Sequence, residues 1–209
     1  MKTLKLLTIL TIFTILLGCG SGQNSSGNRT SGKPEVKTGV KPVADPEVAV
    51  IEMENQGAYG KIVIELYSNI APQAVKRFKE LAREGFYDGT TFHRVNPSVI
   101  QGGDPLSKDD DPKNDGTGKS DKPDLPAEFS DIPYDIGIVG AARSMDVNSA
   151  NSQFFITRKR EPAFDKNYTV FGKVIEGMNN VTTIGSVPRE GERPLEDVKI
   201  KTIRIETRQ

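Results

Sequence analysis

The sequence predicts a mainly β domain, folded as a closed antiparallel barrel with two capping helices. Short runs of β-branched and aromatic residues recur from residue 48 onward, and clusters of Gly or Pro separate them, as is typical of all-β domains. Helical spacing of apolar residues is confined to two stretches. A closed barrel is expected because it leaves no exposed edge strand.

The first two predicted strands form an antiparallel hairpin. They are residues 48–53 and 61–67, and the sequence Asn-Gln-Gly between them has turn chemistry. In the second strand Ile62, Ile64 and Leu66 share one face, which we expect to be buried.

The clearer of the two predicted helices covers residues 71–84. Asn69 is the expected N-cap, Pro72 suits the first turn, and Gly85 ends the helix. The second helix is predicted over residues 177–184. The remaining predicted strands are residues 91–95, 99–101, 136–141, 154–157, 169–174 and 198–205.

Composition excludes several classes of function. The 209 residues carry 28 basic and 28 acidic side chains, and a net charge of zero argues against a nucleic-acid binder. Hydrophobic residues make up 35% of the chain, too few for a polytopic membrane protein. One Cys and one His exclude a disulfide framework and a Cys-rich or two-His zinc site. The acidic segment 107–116 lacks the calcium-loop pattern, so we expect a solvated loop and no metal.

Residues 1–18 are predicted to be an export signal peptide. Lys2 and Lys5 precede an apolar run that is too short to span a bilayer. The run ends in Leu16-Leu17-Gly18-Cys19, which resembles the lipobox of bacterial lipoproteins. That resemblance implies cleavage before Cys19, acylation with palmitate-type chains, and a place in the cell envelope on the extracytoplasmic face of a membrane. The alternative is an ordinary secretory signal with an incidental Cys.

Residues 19–47 are predicted to be the lipidated cysteine followed by a flexible tether. The tether is rich in Gly, Ser and Asn and then in Pro, and it contains nothing that could form a core. A coil of this length has an r.m.s. reach of about 30 Å. We therefore expect the folded domain to comprise residues 48–209.

Four short motifs carry a family resemblance. In chain order they are Phe92-His93-Arg94-Val95, Gln101-Gly102-Gly103-Asp104, Ser152-Gln153-Phe154-Phe155-Ile156 and Val170-Phe171-Gly172-Lys173-Val174. With this order and spacing the chain resembles the cyclophilin family of peptidyl-prolyl cis/trans isomerases over residues 48–207. The resemblance implies a closed eight-stranded barrel capped by two helices, binding of proline-containing polypeptides, and no cofactor.

The chemistry of such an enzyme needs neither a nucleophile nor a metal. Rotation about a peptide bond faces a barrier of about 18–20 kcal/mol, because resonance gives the C–N bond double-bond character. Isomerisation makes and breaks no covalent bond. A pocket that holds the proline ring and a fixed donor that favours the twisted amide are therefore sufficient.

The resemblance assigns the candidate site residue by residue. Arg94 matches the arginine that contacts the prolyl amide, Gln101 a glutamine that binds substrate backbone or orients that arginine, and Phe155 the floor of the proline pocket. Phe154 is expected in the core, because successive residues of a strand face opposite sides. The other predicted substrate-binding residues are His93, Val99, Ala142, Arg143, Gln153, Phe164 and Tyr168.

Three positions depart from the family pattern or need a separate interpretation. His93 is expected to be structural, neutral and hydrogen-bonded, since the reaction offers no proton to remove. The segment 95–100 is one residue shorter than usual and lacks a pocket Phe, and we expect Val99 to take that position, with Ile100 adjusting. Ala163 replaces a Trp associated with cyclosporin binding, and the resemblance therefore implies weak cyclosporin sensitivity.

The predicted function is isomerisation of Xaa-Pro bonds to assist the folding of extracytoplasmic proteins. The alternative is a chaperone module that binds proline-containing segments with little or no turnover, which the shortened segment favours. The predicted partners are proline-containing polypeptides and, through the lipid, a membrane; no nucleic acid is expected, and the chain is predicted to be a monomer.

Overall fold

A computed structural model describes residues 34–208, so the predicted signal peptide, Cys19 and the first part of the tether lie outside the described residues. The strands are β1 (Val36–Lys37), β2 (Glu47–Met53), β3 (Lys61–Leu66), β4 (Arg94–Val95), β5 (Val99–Gly102), β6 (Phe129–Ser130), β7 (Ile138–Ala141), β8 (Phe154–Thr157), β9 (Val170–Glu176), β10 (Arg189–Glu190), β11 (Arg193–Pro194) and β12 (Ile200–Thr207). The helices are α1 (Gln56–Tyr59), α2 (Pro72–Arg83) and α3 (Met178–Ile184), and 3₁₀ turns occupy Pro105–Lys108 and Pro162–Phe164.

Eight strands form one antiparallel sheet in the order β12-β2-β3-β9-β7-β8-β5-β4. The prediction of a mainly β, antiparallel fold is confirmed, but the prediction of a closed barrel is wrong. The edge strands β12 and β4 do not pair with each other. Only a short contact around Thr91 and Lys199 joins the chain before β4 to the start of β12, through three backbone hydrogen bonds between residues 89–92 and 198–200. β4 has two residues, too few to extend a ladder toward β12. The sheet is therefore a curled half-barrel.

The predicted hairpin is present as β2 and β3, with Ile51 opposite Ile62 and Ala49 opposite Ile64. These side chains are fully buried in the main core, which α2 and α3 complete with Phe78 and Ile184. The alternation of the sequence thus sets the register, because a slip of one residue would turn the apolar face to water.

The first long helix, α2, begins one residue later than predicted, and its N-terminus is capped differently. Ala71 occupies the N-cap position and makes no side-chain cap. The carboxylate of Glu128 instead accepts hydrogen bonds from the backbone N–H groups of Gln73 at 3.1 Å and Ala74 at 2.9 Å. The prediction of Asn69 as the cap is wrong, because a distant acid supplies the acceptors that the first turn requires.

The last part of the predicted tether is docked on the domain. Residues 34–46, which we call the strap, include β1, which pairs in parallel with β6. The side-chain amide of Asn69 makes two hydrogen bonds with the strap. Its Oδ1 accepts from the backbone N–H of Val43 at 3.0 Å, and its Nδ2 donates to the carbonyl of Lys41 at 2.8 Å. The prediction of a flexible tether up to residue 47 is therefore wrong for these residues. This docking could not be predicted from the polar composition of the strap, because backbone groups and ion pairs make most of the contacts.

Two small features lie outside the predicted elements. The strands β10 and β11 form a separate hairpin, and β6 pairs with the strap alone. Among residues 34–208 no helix is long and apolar enough to cross a membrane.

Candidate active site

The predicted catalytic side chains share one face of the sheet because their strands bring them into one row. Arg94 lies directly opposite Gln101, Gln101 opposite Phe155, and Phe155 opposite Gly140. Cross-strand partners project to the same side of a sheet. Phe154 points the other way into the main core, as predicted. The row therefore lies on the outer face of β4, β5, β8 and β7.

A chain of hydrogen bonds links three of the predicted residues. Nη1 of Arg94 donates to Oε1 of Gln101 at 3.1 Å, and Nε2 of Gln101 donates to Oε1 of Gln153 at 2.9 Å. Nε2 of Gln153 in turn donates to the carbonyls of Gly116 at 3.0 Å and Gly118 at 2.8 Å. Both N–H groups of Gln153 are thereby used, so Gln153 orients Gln101. One N–H of Gln101 has no acceptor among residues 34–208 and is available to a ligand.

Glu192 binds the Nε edge of the Arg94 guanidinium. Its Nε donates to Oε2 of Glu192 at 2.5 Å, while 44% of the Arg94 side chain stays exposed. A guanidinium has five N–H groups. Two of those of Arg94 are engaged within residues 34–208, which leaves one on Nη1 and both on Nη2 without an acceptor among the described residues. The hydrogen bond from Arg94, helped by one from Asn96, lowers the pKa of Glu192 against the opposing effect of burial.

The shortened segment 95–100 folds as a tight turn around one asparagine. Oδ1 of Asn96 accepts from the backbone N–H groups of Ser98 and Val99, both at 2.8 Å, and its Nδ2 donates to Glu192 at 2.6 Å. This arrangement is an Asx turn, in which the side chain replaces a backbone acceptor. It directs Val99 toward Phe155 and Ile100 into the main core. Val99, the residue expected in the proline pocket, therefore packs in one cluster with Phe155.

An aromatic cluster adjoins the row. Phe155 is buried against Tyr134, Phe164 and Tyr168, with ring centroids 5.7, 5.5 and 5.6 Å away. Val99 packs in the same cluster, while Phe164 and Tyr168 are half-buried at its rim. The structure thus brings together four of the predicted site residues, Val99, Phe155, Phe164 and Tyr168, and the buried ring of Tyr134 stacks on Phe155.

Ala142 and Arg143 continue the site beyond Gln153. The backbone N–H of Ala142 donates to the carbonyl of Gln153 at 2.9 Å. The guanidinium of Arg143 lies 4.5 Å from the ring centroid of Tyr168, a cation–π contact that fixes this rim residue. A cleft of about 360 Å³ runs beside them and is lined by Gln101, Gln153 and the 116–119 loop, among others. An extended peptide has room to lie along it.

His93 is buried beside the row and lies against Gly116. Burial lowers the pKa of His93, although the charge of Asp104 opposes that effect, and this direction favours the neutral ring. The predicted hydrogen bond is not found within the described residues. The backbone of Thr91 lies beside the ring, yet neither ring nitrogen has a partner in hydrogen-bond geometry.

The acidic loop is anchored at its two ends by Asp104. This carboxylate caps the 3₁₀ turn at Leu106 and accepts from the backbone N–H groups of Gly116 and Gly118. Most of the loop between these points is exposed. No group of three or more His, Cys, Asp or Glu side chains within residues 34–208 could hold a metal.

Sequence reasoning missed Glu192, Asn96 and Tyr134. Glu192 stands in a polar, Gly-containing stretch that is typical of a solvated turn, and 98 residues separate it from Arg94. Only the docking of the β10–β11 hairpin against β4 joins the two. For Asn96 the Asn-Pro-Ser sequence gave a usable signal, because it favours an Asx turn.

Comparison with known proteins agrees with this fold and site. Residues 50–205 match the family model "Cyclophilin type peptidyl-prolyl cis-trans isomerase/CLD". The chain belongs to this family, and it is a peptidyl-prolyl cis-trans isomerase of the cyclophilin type.

Relatives and solved structures match over most of their length. A probable peptidyl-prolyl cis-trans isomerase of Brucella suis is 44% identical over 173 residues, covering 79% of this chain and 87% of the relative. A peptidyl-prolyl cis-trans isomerase of Schizosaccharomyces pombe is 39% identical, covering 71% of this chain and 94% of the relative. The crystal structure of a Cryptosporidium parvum cyclophilin in the presence of the dipeptide Ala-Pro has a TM-score of 0.68 at 30% identity, covering 77% of this chain and 99% of that one.

Proposed function

We propose that the outer-face row of Arg94, Gln101 and Phe155 is the site at which this chain isomerises Xaa-Pro bonds. The observation that supports this most directly is a fixed guanidinium on β4 beside an apolar cluster that contains Val99 of β5 and Phe155 of β8. The apolar cluster suits the apolar proline ring, and the guanidinium suits the polar amide beside that ring. No residue of the row needs to exchange a proton or form a covalent bond with the substrate.

The proline ring packs against Phe155 and Val99, between the rim residues Phe164 and Tyr168. Removing apolar surface from water stabilises this contact by about 25 cal/mol per Å². Val99 offers less surface than an aromatic side chain, so ring binding depends mainly on Phe155. Holding the ring while the peptide on the N-terminal side rotates confines the motion to the prolyl bond.

Arg94 lowers the barrier because it binds the twisted amide better than either planar isomer. When the amide twists, the nitrogen lone pair is no longer delocalised into the carbonyl and becomes a hydrogen-bond acceptor. A free N–H on Nη2 of Arg94 can donate to that lone pair only in the twisted state. Such a differential interaction accelerates the reaction, whereas equal binding of all states does not.

A variant series tests the assignment. Loss of one fixed donor costs about a hundredfold in rate where it acts only on the transition state, and we expect that loss in kcat/KM for Arg94→Ala. The measurement follows cis-to-trans conversion of a short Xaa-Pro peptide by the full chain in detergent. Arg204→Ala is the matched control, because Arg204 is also exposed and ion-paired, but on β12. Full activity of a folded Arg94→Ala variant would contradict the assignment, and peptide binding without turnover by the wild type would favour the chaperone alternative.

We further propose that the enzyme is attached by lipid at Cys19 and assists the folding of extracytoplasmic proteins. The proposal rests on Leu16-Leu17-Gly18-Cys19, which ends a short apolar run behind two lysines. Because the strap is docked, only residues 20–33 of the predicted tether remain between Cys19 and the described domain.

Detergent phase partitioning tests the lipid anchor. We expect the wild-type chain, expressed in a bacterium, to enter the detergent phase and a Cys19→Ser variant to stay in the aqueous phase. Mass spectrometry of the N-terminal peptide provides the second measurement, since diacylglycerol and acyl chains add a defined mass to Cys19. An unmodified Cys19 in the processed wild-type chain would contradict the proposal.

A further inference from the structure

Glu192 is held beside Arg94 by the backbone. The N–H of Val95 donates to the carbonyl of Glu192 at 2.7 Å, and Nη1 of Arg189 donates to the carbonyl of Val95 at 3.0 Å. The β10–β11 hairpin is thereby attached to β4 through both polar groups of one residue. The Glu192 side chain consequently starts from a fixed position next to Arg94.

Both oxygens of the Glu192 carboxylate accept a hydrogen bond. Oε2 accepts from Nε of Arg94 at 2.5 Å, and Oε1 accepts from Nδ2 of Asn96 at 2.6 Å. The Asn96 amide cannot turn round, because its oxygen already accepts from two backbone N–H groups of the 95–100 turn. Two fixed donors thus face the two oxygens of one carboxylate.

Arg94 needs such a support because little else restrains it. It lies on a two-residue edge strand, 44% of its side chain is exposed, and its long stem has considerable rotamer freedom. Gln101 contributes one hydrogen bond, to Nη1. A single bond leaves the guanidinium free to pivot, whereas a second bond at Nε fixes its plane.

We propose that Glu192 is a positioning residue of the isomerase reaction, which holds the Nε edge of Arg94 so that Nη2 is presented to the prolyl amide. This inference rests on the proposed role of Arg94 and extends the site to the β10–β11 hairpin. Glu192 does not contact the substrate; it acts through Arg94.

Three variants separate positioning from other roles. Glu192→Ala removes both acceptors. Glu192→Gln keeps one oxygen, which can accept from only one of the two donors, Arg94 Nε or Asn96 Nδ2, and it turns an NH₂ group toward the second donor. We therefore expect a loss of kcat/KM smaller than that of Glu192→Ala. Glu190→Ala is the matched control, because Glu190 is an exposed acid of the same hairpin and makes no ion pair or side-chain hydrogen bond with the described residues.

The experiment measures kcat/KM for a short Xaa-Pro peptide with the full chain in detergent, together with the ¹⁵N–¹H resonance of Arg94 Nε. We expect Glu192→Ala to lower kcat/KM about tenfold, as a lost interaction between neighbouring groups does, and Glu190→Ala to leave it unchanged. The Arg94 Nε resonance should lose its protection from exchange in Glu192→Ala alone. In an Arg94→Ala background, Glu192→Ala should change the residual rate less than twofold.

Each contrary result has a distinct meaning. If Arg94→Ala is inactive but Glu192→Ala keeps its rate or becomes faster, this inference is overturned while the proposed function stands. A loss that persists in the Arg94→Ala background also overturns it, because Glu192 would then act independently of Arg94. If Arg94→Ala itself keeps full activity, the proposed site is wrong and this inference falls with it.

Discussion

The carboxylate of Asp45 accepts a hydrogen bond from Nζ of Lys79 at 2.5 Å, and both side chains are nearly buried. The same carboxylate accepts from the backbone N–H of Ser68 at 3.1 Å and from its hydroxyl at 2.6 Å. Asp45 belongs to the strap, Lys79 to α2, and Ser68 to the loop before it. This one side chain therefore fastens the end of the strap to the domain.

Replacing Asp45 by Ala should lower the free energy of unfolding by about 2 kcal/mol, because both donors of Ser68 lose their acceptor in a mostly buried place and Lys79 keeps only its ion pair with Glu47. Chemical denaturation of the full chain measures the effect. Glu35→Ala is the matched control, since Glu35 is an exposed acid of the same strap without a hydrogen bond or ion pair in the described structure. Equal stability of the two variants would show that the strap is not fastened at Asp45.

A chain that begins at residue 48 should be less stable than one that begins at residue 34. The shorter chain lacks Asp45, the β1–β6 pairing and the hydrogen bond from Lys37 Nζ to the carbonyl of Ile70 at 2.6 Å. A loss of about 2–4 kcal/mol is expected from these contacts together. Thermal unfolding of the two chains checks this, and identical melting temperatures would contradict it.

Replacing Tyr134 by Phe should leave the protein as stable as the wild type or stabilise it by about 1 kcal/mol. The Tyr134 hydroxyl is fully buried and has no hydrogen-bond partner among residues 34–208, and burial raises its pKa well above the ordinary range. Deleting an unpartnered buried polar group removes its desolvation cost. Equilibrium unfolding is the measurement, and a loss of more than about 1 kcal/mol would reveal a partner such as an ordered water.

The fold was predictable where the core depends on periodicity. The β2–β3 hairpin, α2, and the opposite placement of Phe154 and Phe155 all follow from alternation and helical spacing. The docked strap and the open edge between β12 and β4 were not predictable in this way. Both depend on contacts of the backbone and of single charges, which leave no periodic signal in the sequence.

The site was predictable where motifs are local. The motifs contain Arg94, Gln101 and Phe155, which strand pairing brings into one row, and Gln153, which hydrogen-bonds to Gln101. Glu192 was not predictable, since its position depends on how a separate hairpin docks.

Because His93 is buried, we expect the stability of the protein to fall in acid. Burial lowers its pKa below the ordinary value of 6.5, so the unfolded chain binds a proton more readily than the folded one. Stability is therefore full above about pH 6.5 and falls as the pH drops from there toward the lowered pKa of the folded state. Unfolding free energies at about pH 7.5 and about pH 5.5 test this.

The matched variant for that experiment is His93→Phe, which removes the only histidine of the chain. Its stability should change less over the same interval, and the wild-type kcat/KM should show no step assignable to His93. An acid limb in the pH–rate profile that disappears in the variant would instead indicate a catalytic proton.

The proposed proline site requires a residue without a side chain at position 140. A Cβ at this position would lie 2.4 Å from Cζ of Phe155 and 2.7 Å from the Tyr134 hydroxyl, so any side chain must displace the Phe155 ring. Gly140→Ala should therefore raise KM for Xaa-Pro peptides and lower the free energy of unfolding by about 1–3 kcal/mol, the usual cost of overpacking. Gly57→Ala is the matched control, since its Cβ would meet nothing closer than 3.7 Å. If Gly140→Ala lost stability but kept its KM, the position of the Phe155 ring would not set proline binding, and Phe155 would be a core residue only.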